Sequence, residues 1–452
     1  MPKPLTPSLK GQRVLVIGGG LAGLSAARDL IARGAAVHLR EARERLGGRV
    51  WTIHDKEFCD TPLELGGEFI DNGHEAIRAL CRELKLTLQP VLKDGFGVAL
   101  DVNGRVQLFN QMGPLWSEFK QVLRREGEAF KAVDGDWSST IAQSIAPHSL
   151  RALLGARGAS REVIAFAEGL RGFFLADADQ LSALVGVEQV MLPDLARVQV
   201  SRIKGGNERL VLALAKQKGL TITTAAVVNK IEQHDTGVRV HVADGSKKGT
   251  LVTGNYVVLT TPPAIARTLE FAPAVPATLR RAWQALESGP ATKAHVRFDK
   301  AWWRRSGRPR AWGTNLDTGA IWETSASGPA GLTLLAGGRS SRALRDLLEE
   351  GGPQRVIRRL AWLGETEDAR DFRSISWELD PHARGGYAVF GTDFKPEWRA
   401  ELARSFGRIA FAGDHTSRQW QGYMNGAVES GQRAARDIEM MKLMADLKSA
   451  PA

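Results

Sequence analysis

The sequence predicts an α/β protein, α+β overall: a discontinuous Rossmann-type dinucleotide-binding domain with an inserted second domain of mixed sheet and helices. Three observations carry that prediction. A short apolar run, Val14 to Ile17, enters a glycine turn and then a helical pattern. The stretch from Val227 to Thr260 reads as strands and stops at Thr261-Pro262-Pro263. A second strand–glycine–helix pattern, Phe411 to Gly431, stands near the far end.

The chain has 452 residues, enough for two or three domains and a large core. No run approaches the roughly 18 apolar residues of a membrane span. Met1-Pro-Lys-Pro-Leu-Thr-Pro7 has no apolar region and no twin arginine, so a cytoplasmic protein without an export signal is expected. Cys59 and Cys81 fit no metal or redox spacing and read as structural thiols. The net charge is +11, but the arginines are scattered among acids, as in Arg342 to Arg359. That pattern is solvated surface charge, not a nucleic-acid footprint, and it also helps attract anionic ligands.

The N-terminal elements follow in order. Arg13-Val-Leu-Val-Ile-Gly18 is an apolar run of the kind buried in a parallel sheet. Gly18-Gly-Gly20-Leu-Ala-Gly23 satisfies G-x-G-x-x-G. Leu24 to Arg33 has helical apolar spacing, and Gly34 stops it. A second strand, Ala36 to Leu39, leads to Glu41, close to the roughly 20 residues expected of a ribose-hydroxyl acceptor. In this frame Gly18 permits the tight turn, Gly20 lets backbone approach a pyrophosphate, and Gly23 lets the helix lie close to its strand. The helix N-terminus offers N–H groups to the negative charge. These residues indicate a dinucleotide and leave NAD and FAD open.

Glu41-Ala-Arg43-Glu-Arg-Leu-Gly-Gly48-Arg49 resembles the E-A-R-x-R-x-G-G-R extension of the flavin amine oxidase superfamily. The resemblance implies a Rossmann-type FAD-binding domain, with Arg43, Gly48 and Arg49 at the cofactor's phosphates. Arginine suits that place because its planar fork binds phosphate oxygens in pairs. Family motifs recur in order across almost the whole chain. Glu64-Leu-Gly66-Gly67-Glu68-Phe69-Ile70 resembles the E-L-G-G-x-x-I turn beside the flavin ring. By similarity Gly66, Gly67 and Glu68 belong to the cofactor site and Phe69 to the substrate site. Ile203-Lys-Gly-Gly-Asn-Glu-Arg-Leu210 resembles the segment returning the chain to the flavin domain, and Val228 takes the place that meets the adenine.

Phe411-Ala-Gly413-Asp414-His-Thr416 and Gly422-Tyr423-Met424-Asn-Gly-Ala-Val-Glu-Ser-Gly431 resemble the F-A-G-E-x-T and G-Y-M-x-G-A-x-x-S-G signatures of amine oxidases. Gly413, Asp414, Gly422, Tyr423 and Met424 are therefore expected at FAD, with a helix from Ala427 onward. Asp414 stands where Glu is commoner, so its reach is one methylene shorter and an indirect contact is open.

The expected domains are 1–79, 201–284 and 391–452 for FAD, and 80–200 with 285–390 for substrate, the helices lying mainly in 80–200. His74 to Leu86 and Leu115 to Ala132 read as helices. Strands are expected at Val227–Glu232, Val238–Val242 and Asn255–Thr260, with turns at Asp235-Thr-Gly237 and Asp244-Gly245. Phe173 and Phe174 read first as core, with Phe173 and the nearby Arg171 also candidates for the substrate pocket.

FAD supplies the redox step, and the protein binds, orients and tunes it. Tyr387, in Arg384-Gly-Gly-Tyr387, matches the first tyrosine of the family's aromatic cage, and Tyr423 matches the second. The bland alternative is two packed tyrosines. Lys293, in Ala291-Thr-Lys-Ala-His-Val-Arg-Phe298, resembles the family's active-site lysine, which holds a water near the flavin and assists its reoxidation. Without the resemblance, Lys293, His295 and Arg297 simply alternate as a solvent face. Trp377 resembles a tryptophan beside the flavin. His74 and His415 are isolated and read as structural, so no metal is expected. Relatives that link FAD covalently use a cysteine near the C-terminal end; none follows Cys81 here, so FAD is expected to be noncovalent.

The function implied is oxidative deamination of a primary amine or an L-amino acid, with oxygen as acceptor and hydrogen peroxide as product. The expected partners are that small molecule and oxygen, without nucleic acid or membrane; a homodimer is the assembly considered. An amino acid would need an arginine for its carboxylate, and the place that carries one in some relatives is Glu68-Phe69-Ile70 here. The alternatives are a desaturase of the same superfamily and a non-catalytic flavin-stabilised protein.

Overall fold

The computed structural model describes residues 8–449 apart from 60, 93–94, 192–198, 244–248, 325–329 and 365–368. The turn expected at Asp244-Gly245 lies outside the described residues. The β-rich frame rests on two large sheets. The first is five-stranded and parallel, in the order Leu220–Thr223, Ala36–Arg40, Arg13–Ile17, Tyr256–Leu259, Ile409–Phe411. Its central strands are apolar throughout because helices cover both faces: Val14, Leu15, Val16, Val257 and Val258 are all fully buried. The helix Leu21–Ala32 packs against the long C-terminal helix Met424–Ser449. A Cβ on Gly431 would come within 2.2 Å of the Ala22 carbonyl oxygen, which measures how closely the two backbones approach.

The second sheet has seven strands, in the order Ala369–Ser376, Ala291–Phe298, Ala330–Gly337, Ala320–Glu323, Ala311–Thr314, Gly97–Val102, Arg105–Phe109. The helix Arg339–Arg359 packs on its first three strands, and Arg161–Gly169 packs on Gly97–Val102. A four-stranded sheet carries Val227–His234 and Gly237–Ala243. A small three-stranded sheet places Val200–Ile203 between Ile70–Asp71 and Leu88–Val91, so residue 200 lies within a strand rather than at a linker.

Two expectations need correction. The helix expected over Leu115 to Ala132 is two helices, Gly113–Val122 and Arg124–Lys131, meeting at Leu123. The helices expected in 80–200 are there, but the strands Leu88–Val91, Gly97–Val102 and Arg105–Phe109, which were not expected, lie there too. The missed signal was Asn103-Gly104. Both residues have positive φ, 56° and 79°, as a type I′ hairpin turn requires. The Gly104 N–H donates to Asp101 Oδ1 at 2.7 Å and fixes the turn.

Candidate active site

A cavity of about 1010 Å3 is lined from both large sheets. That volume stands at the top of the roughly 300–1,000 Å3 range of ligand pockets. Nearly every residue expected at the site lines it, among them Gly18, Gly20, Phe69, Phe173, Lys293 and Tyr387. Gly48, Gly67, Val228, Trp377, Gly413, Gly422 and Met424 line it as well. Gly23 and Arg171 do not.

The glycine-turn end is built for an anion. The helix Leu21–Ala32 starts at Gly20 with no side-chain cap and no acid in its first turn. Its first N–H groups therefore lack intrahelical partners, as at any helix start. A Cβ on Gly20 would meet only the Gly47 oxygen, at 3.9 Å, and would project into open cavity. Gly23 acts differently: a Cβ there would lie 2.0 Å from the Gly18 carbonyl oxygen, so only glycine lets the helix sit this close to its strand. Glu41 is held by the Gly19 N–H at 2.6 Å and the Arg43 N–H at 2.9 Å. The Thr261 hydroxyl is buried at the cavity wall without a partner among the described residues. These groups fit the ribose and pyrophosphate of a dinucleotide.

Arg43 and Arg49 line the cavity but also hold carboxylates. Arg43 pairs with Asp380 at 2.5 Å and with Glu41 at 3.5 Å. Arg49 donates to the Gly386 carbonyl and pairs with Asp414. The shorter Asp414 thus meets Arg49 directly.

The cavity wall also carries a buried charge cluster. The strand Ala291–Phe298 is paired on both sides, and Lys293 and His295 are 2% and 1% exposed, so the alternative of a solvent face does not hold. Lys293 Nζ donates to the Gly66 carbonyl at 3.0 Å, pairs with Glu68, and lies 5.5 Å from the Trp322 ring centre. Glu68 also pairs with Arg202 and accepts from Trp322 Nε1 at 3.0 Å. Burial opposes the Glu68 charge, but Arg202 and Lys293 outweigh it and hold its carboxyl below the usual range. Burial likewise depresses the Lys293 ammonium, and Glu68 offsets part of that. Glu64, pushed up to about 7 by burial, and His295, pushed down to about 3 by burial, complete the cluster. His295 Nε2 lies 3.1 Å from the Glu64 carbonyl oxygen, which requires the neutral ring to carry its proton on Nε2. Trp377 Nε1 donates to the Leu65 carbonyl at 3.0 Å, so the Glu64–Phe69 turn is held from several sides.

The two tyrosines border the same space. Tyr387 donates its hydroxyl to the Phe173 carbonyl and lies 3.2 Å from that of Gly172. Its ring sits against Gly422, where a Cβ would come within 3.1 Å of it. Tyr423 is 37% exposed, onto the cavity, with its ring edge-on to Trp420 and His74. Burial raises both phenols above the usual range, so both stay neutral. His74 was read as structural; it is fully buried and, at 5.0 Å between ring centres, props the Tyr423 ring.

Two expectations about the substrate end change. Phe173 is not core: it is 45% exposed and faces the cavity. Arg171 is not a pocket residue. Its fork is taken by Asp177 at 3.1 Å, the Glu168 carbonyl at 2.9 Å and the Asn315 carbonyl at 2.9 Å. Sequence reasoning missed Arg202, Trp322 and Thr261. Thr261 could have been suspected from its place directly after the strand Tyr256–Leu259, since ligands of parallel sheets bind beyond the strands' carboxyl ends.

A glycine turn at a bare helix start, opening onto an aromatic cavity in a second domain, defines a dinucleotide-dependent oxidoreductase of Rossmann type. The chain belongs to the flavin containing amine oxidoreductase family, which matches residues 21–439. It is an FAD-dependent enzyme that acts on amines. It is 28% identical to AofH of Mycobacterium tuberculosis, provisionally named a flavin-containing monoamine oxidase, over 94% of this chain and 96% of that protein. It is also 28% identical to an L-amino-acid oxidase of Mus musculus, over 95% of this chain and 71% of that one. The fold matches cyclohexylamine oxidase from Brevibacterium oxydans IH-35A with a TM-score of 0.82, at 23% identity over 95% of this chain and 99% of that one.

Cys59 and Cys81 are both buried and neither lines the cavity, so FAD is held without a cysteinyl link. Acid precipitation is expected to release all yellow colour into the supernatant; colour kept in the pellet would contradict this. Among the described residues no helix is long and apolar enough to cross a membrane, and no group of side chains could hold a metal ion.

Proposed function

We propose that the protein oxidises a primary amine carrying no carboxylate, with oxygen as acceptor and hydrogen peroxide as product. The observation that carries this reading is that the guanidinium groups packed around the aromatic part of the cavity are already committed, while Arg418, which also lines it, is exposed to solvent. Arg171 is spent on Asp177, Arg202 on Glu68, and Arg399 on Glu188 and the Arg418 carbonyl. An α-carboxylate entering this cavity would need such a fork to replace its lost hydration.

Bound FAD would supply the two-electron acceptor for the hydride of the amine Cα–H bond; the iminium ion left behind gives up a proton to water and is hydrolysed. The residues act around that step. Tyr387 and Tyr423 stay uncharged and offer flat faces to an amine. The apolar wall, with Phe69, Phe173 and Trp322, removes water and so favours the neutral amine over the ammonium. Lys293 holds a positive charge where oxygen, taking up two electrons and two protons, passes through negatively charged stages.

The test is anaerobic reduction by matched pairs, each an amine and the L-amino acid with the same side chain. The amine is expected to bleach the oxidised-flavin band at least about tenfold faster, a difference of about 1.4 kcal/mol in barrier. Equal or faster bleaching by the amino acid overturns the reading, and bleaching by neither would leave the tyrosine pair without this role.

A further inference from the structure

Glu68 was expected at the cofactor. Its surroundings give it another task. Both carboxylate oxygens are taken by the protein: one by Lys293, the other by Arg202 and by Trp322 Nε1 at 3.0 Å. The carboxylate is 4% exposed, the Lys293 side chain 3%. Trp322 comes from the strand Ala320–Glu323 and Arg202 from Val200–Ile203, so three separate elements converge on this one acid. Arg202 also donates to the Thr324 carbonyl at 2.8 Å and stacks over Phe69, which stiffens its end of the cluster. An acid clamped so firmly has no oxygen left for an incoming ligand. What it can do is govern Lys293.

We propose that Glu68 is a positioning residue for Lys293, fixing its ammonium between the Gly66 carbonyl and the Trp322 ring and keeping it protonated at the cavity wall. The physical need is plain. A lysine removed from water tends to lose its proton, and a neutral amine would give no charge for oxygen reduction to use. A fixed anion in contact restores the charged form, and the Gly66 carbonyl and the Trp322 face favour it further. Arg202 works in the opposite sense on Lys293, since it is a like charge sharing the same carboxylate. The other titratable groups facing Lys293 are Glu64, which favours its charge, and His295, neutral across the working range. The proposal rests on the reading of Lys293 as the group that assists reoxidation.

The test uses holoenzyme labelled at lysine Cε with carbon-13, the Lys293 signal being identified by its loss in Lys293→Met. In Glu68→Gln, which keeps the shape and removes the charge, the midpoint of the Lys293 titration is expected to fall by at least about one unit. Reoxidation of the reduced flavin in this variant should then decline above the new midpoint, roughly tenfold per pH unit, where the parent stays flat. Glu68→Asp should restore the parental profile. Arg202→Gln is the independent check, because it removes the competing cation and must move the midpoint upward. Superimposable Lys293 titrations in the parent, Glu68→Gln and Arg202→Gln overturn the proposal; so does a fall on removing Arg202. If Lys293→Met reoxidises normally, the role of Lys293 itself fails, while the titrations still report on Glu68.

Discussion

Lys293→Met is expected to slow reoxidation of the reduced flavin by about a hundredfold or more, the usual scale for losing one preorganised electrostatic contact. Flavin content and anaerobic reduction by amine should change far less. The reason is position. Lys293 lies on a strand of the seven-stranded sheet that is paired on both sides, and touches the Gly66 carbonyl rather than Gly18 or Arg43. Methionine fills much of the same volume without the charge. Arg202 remains to neutralise Glu68, so the buried carboxylate is not orphaned. Stopped-flow mixing with oxygen measures the step directly, and an unchanged rate would sink the assignment.

Gly23→Ala is expected to strip the enzyme of FAD. The new methyl would stand 2.0 Å from the Gly18 oxygen and 3.2 Å from the side chain of Val16, so the helix must lift from its strand. Overpacking of this kind costs about 1–3 kcal/mol in ordinary cores, and here the displaced part is the helix end facing the phosphates. The dissociation constant of FAD should rise by about tenfold or more, roughly the change that 1.4 kcal/mol brings, with a lower melting temperature for the flavin-free protein. Gly20→Ala separates the two effects. Its methyl meets no backbone within 3.5 Å and enters the ligand space, so FAD should weaken while the flavin-free melting temperature holds. An unchanged FAD dissociation constant in Gly23→Ala would contradict this account.

These residues show what could be read from sequence alone. The cradle was legible because its chemistry is local: Gly18, Gly20, Gly23 and Glu41 lie within one strand–helix–strand unit. The tyrosines and Lys293 were legible only through family resemblance. The Glu68 cluster was not legible, because Glu68, Arg202, Lys293 and Trp322 come from four separate segments and meet only in the packed fold. Arg171 was misjudged for the same reason: sequence shows that a guanidinium exists nearby, but not that Asp177 has claimed it. The hairpin at Asn103-Gly104 was local and could have been read.

The pairing of the first helix with the last has a consequence for how the molecule is made. The strand Arg13–Ile17 and the helix behind it leave the ribosome long before Ile409–Phe411 and Met424–Ser449, which close that layer. The Ala22–Gly431 approach cannot form until residue 431 is out. Contacts so far apart in sequence form slowly, and the half-built sheet meanwhile exposes an apolar face and an unpaired edge. The flavin site is thus completed late in synthesis: a nascent chain without the helix Met424–Ser449 lacks the Met424 and Ala427 side of the cavity.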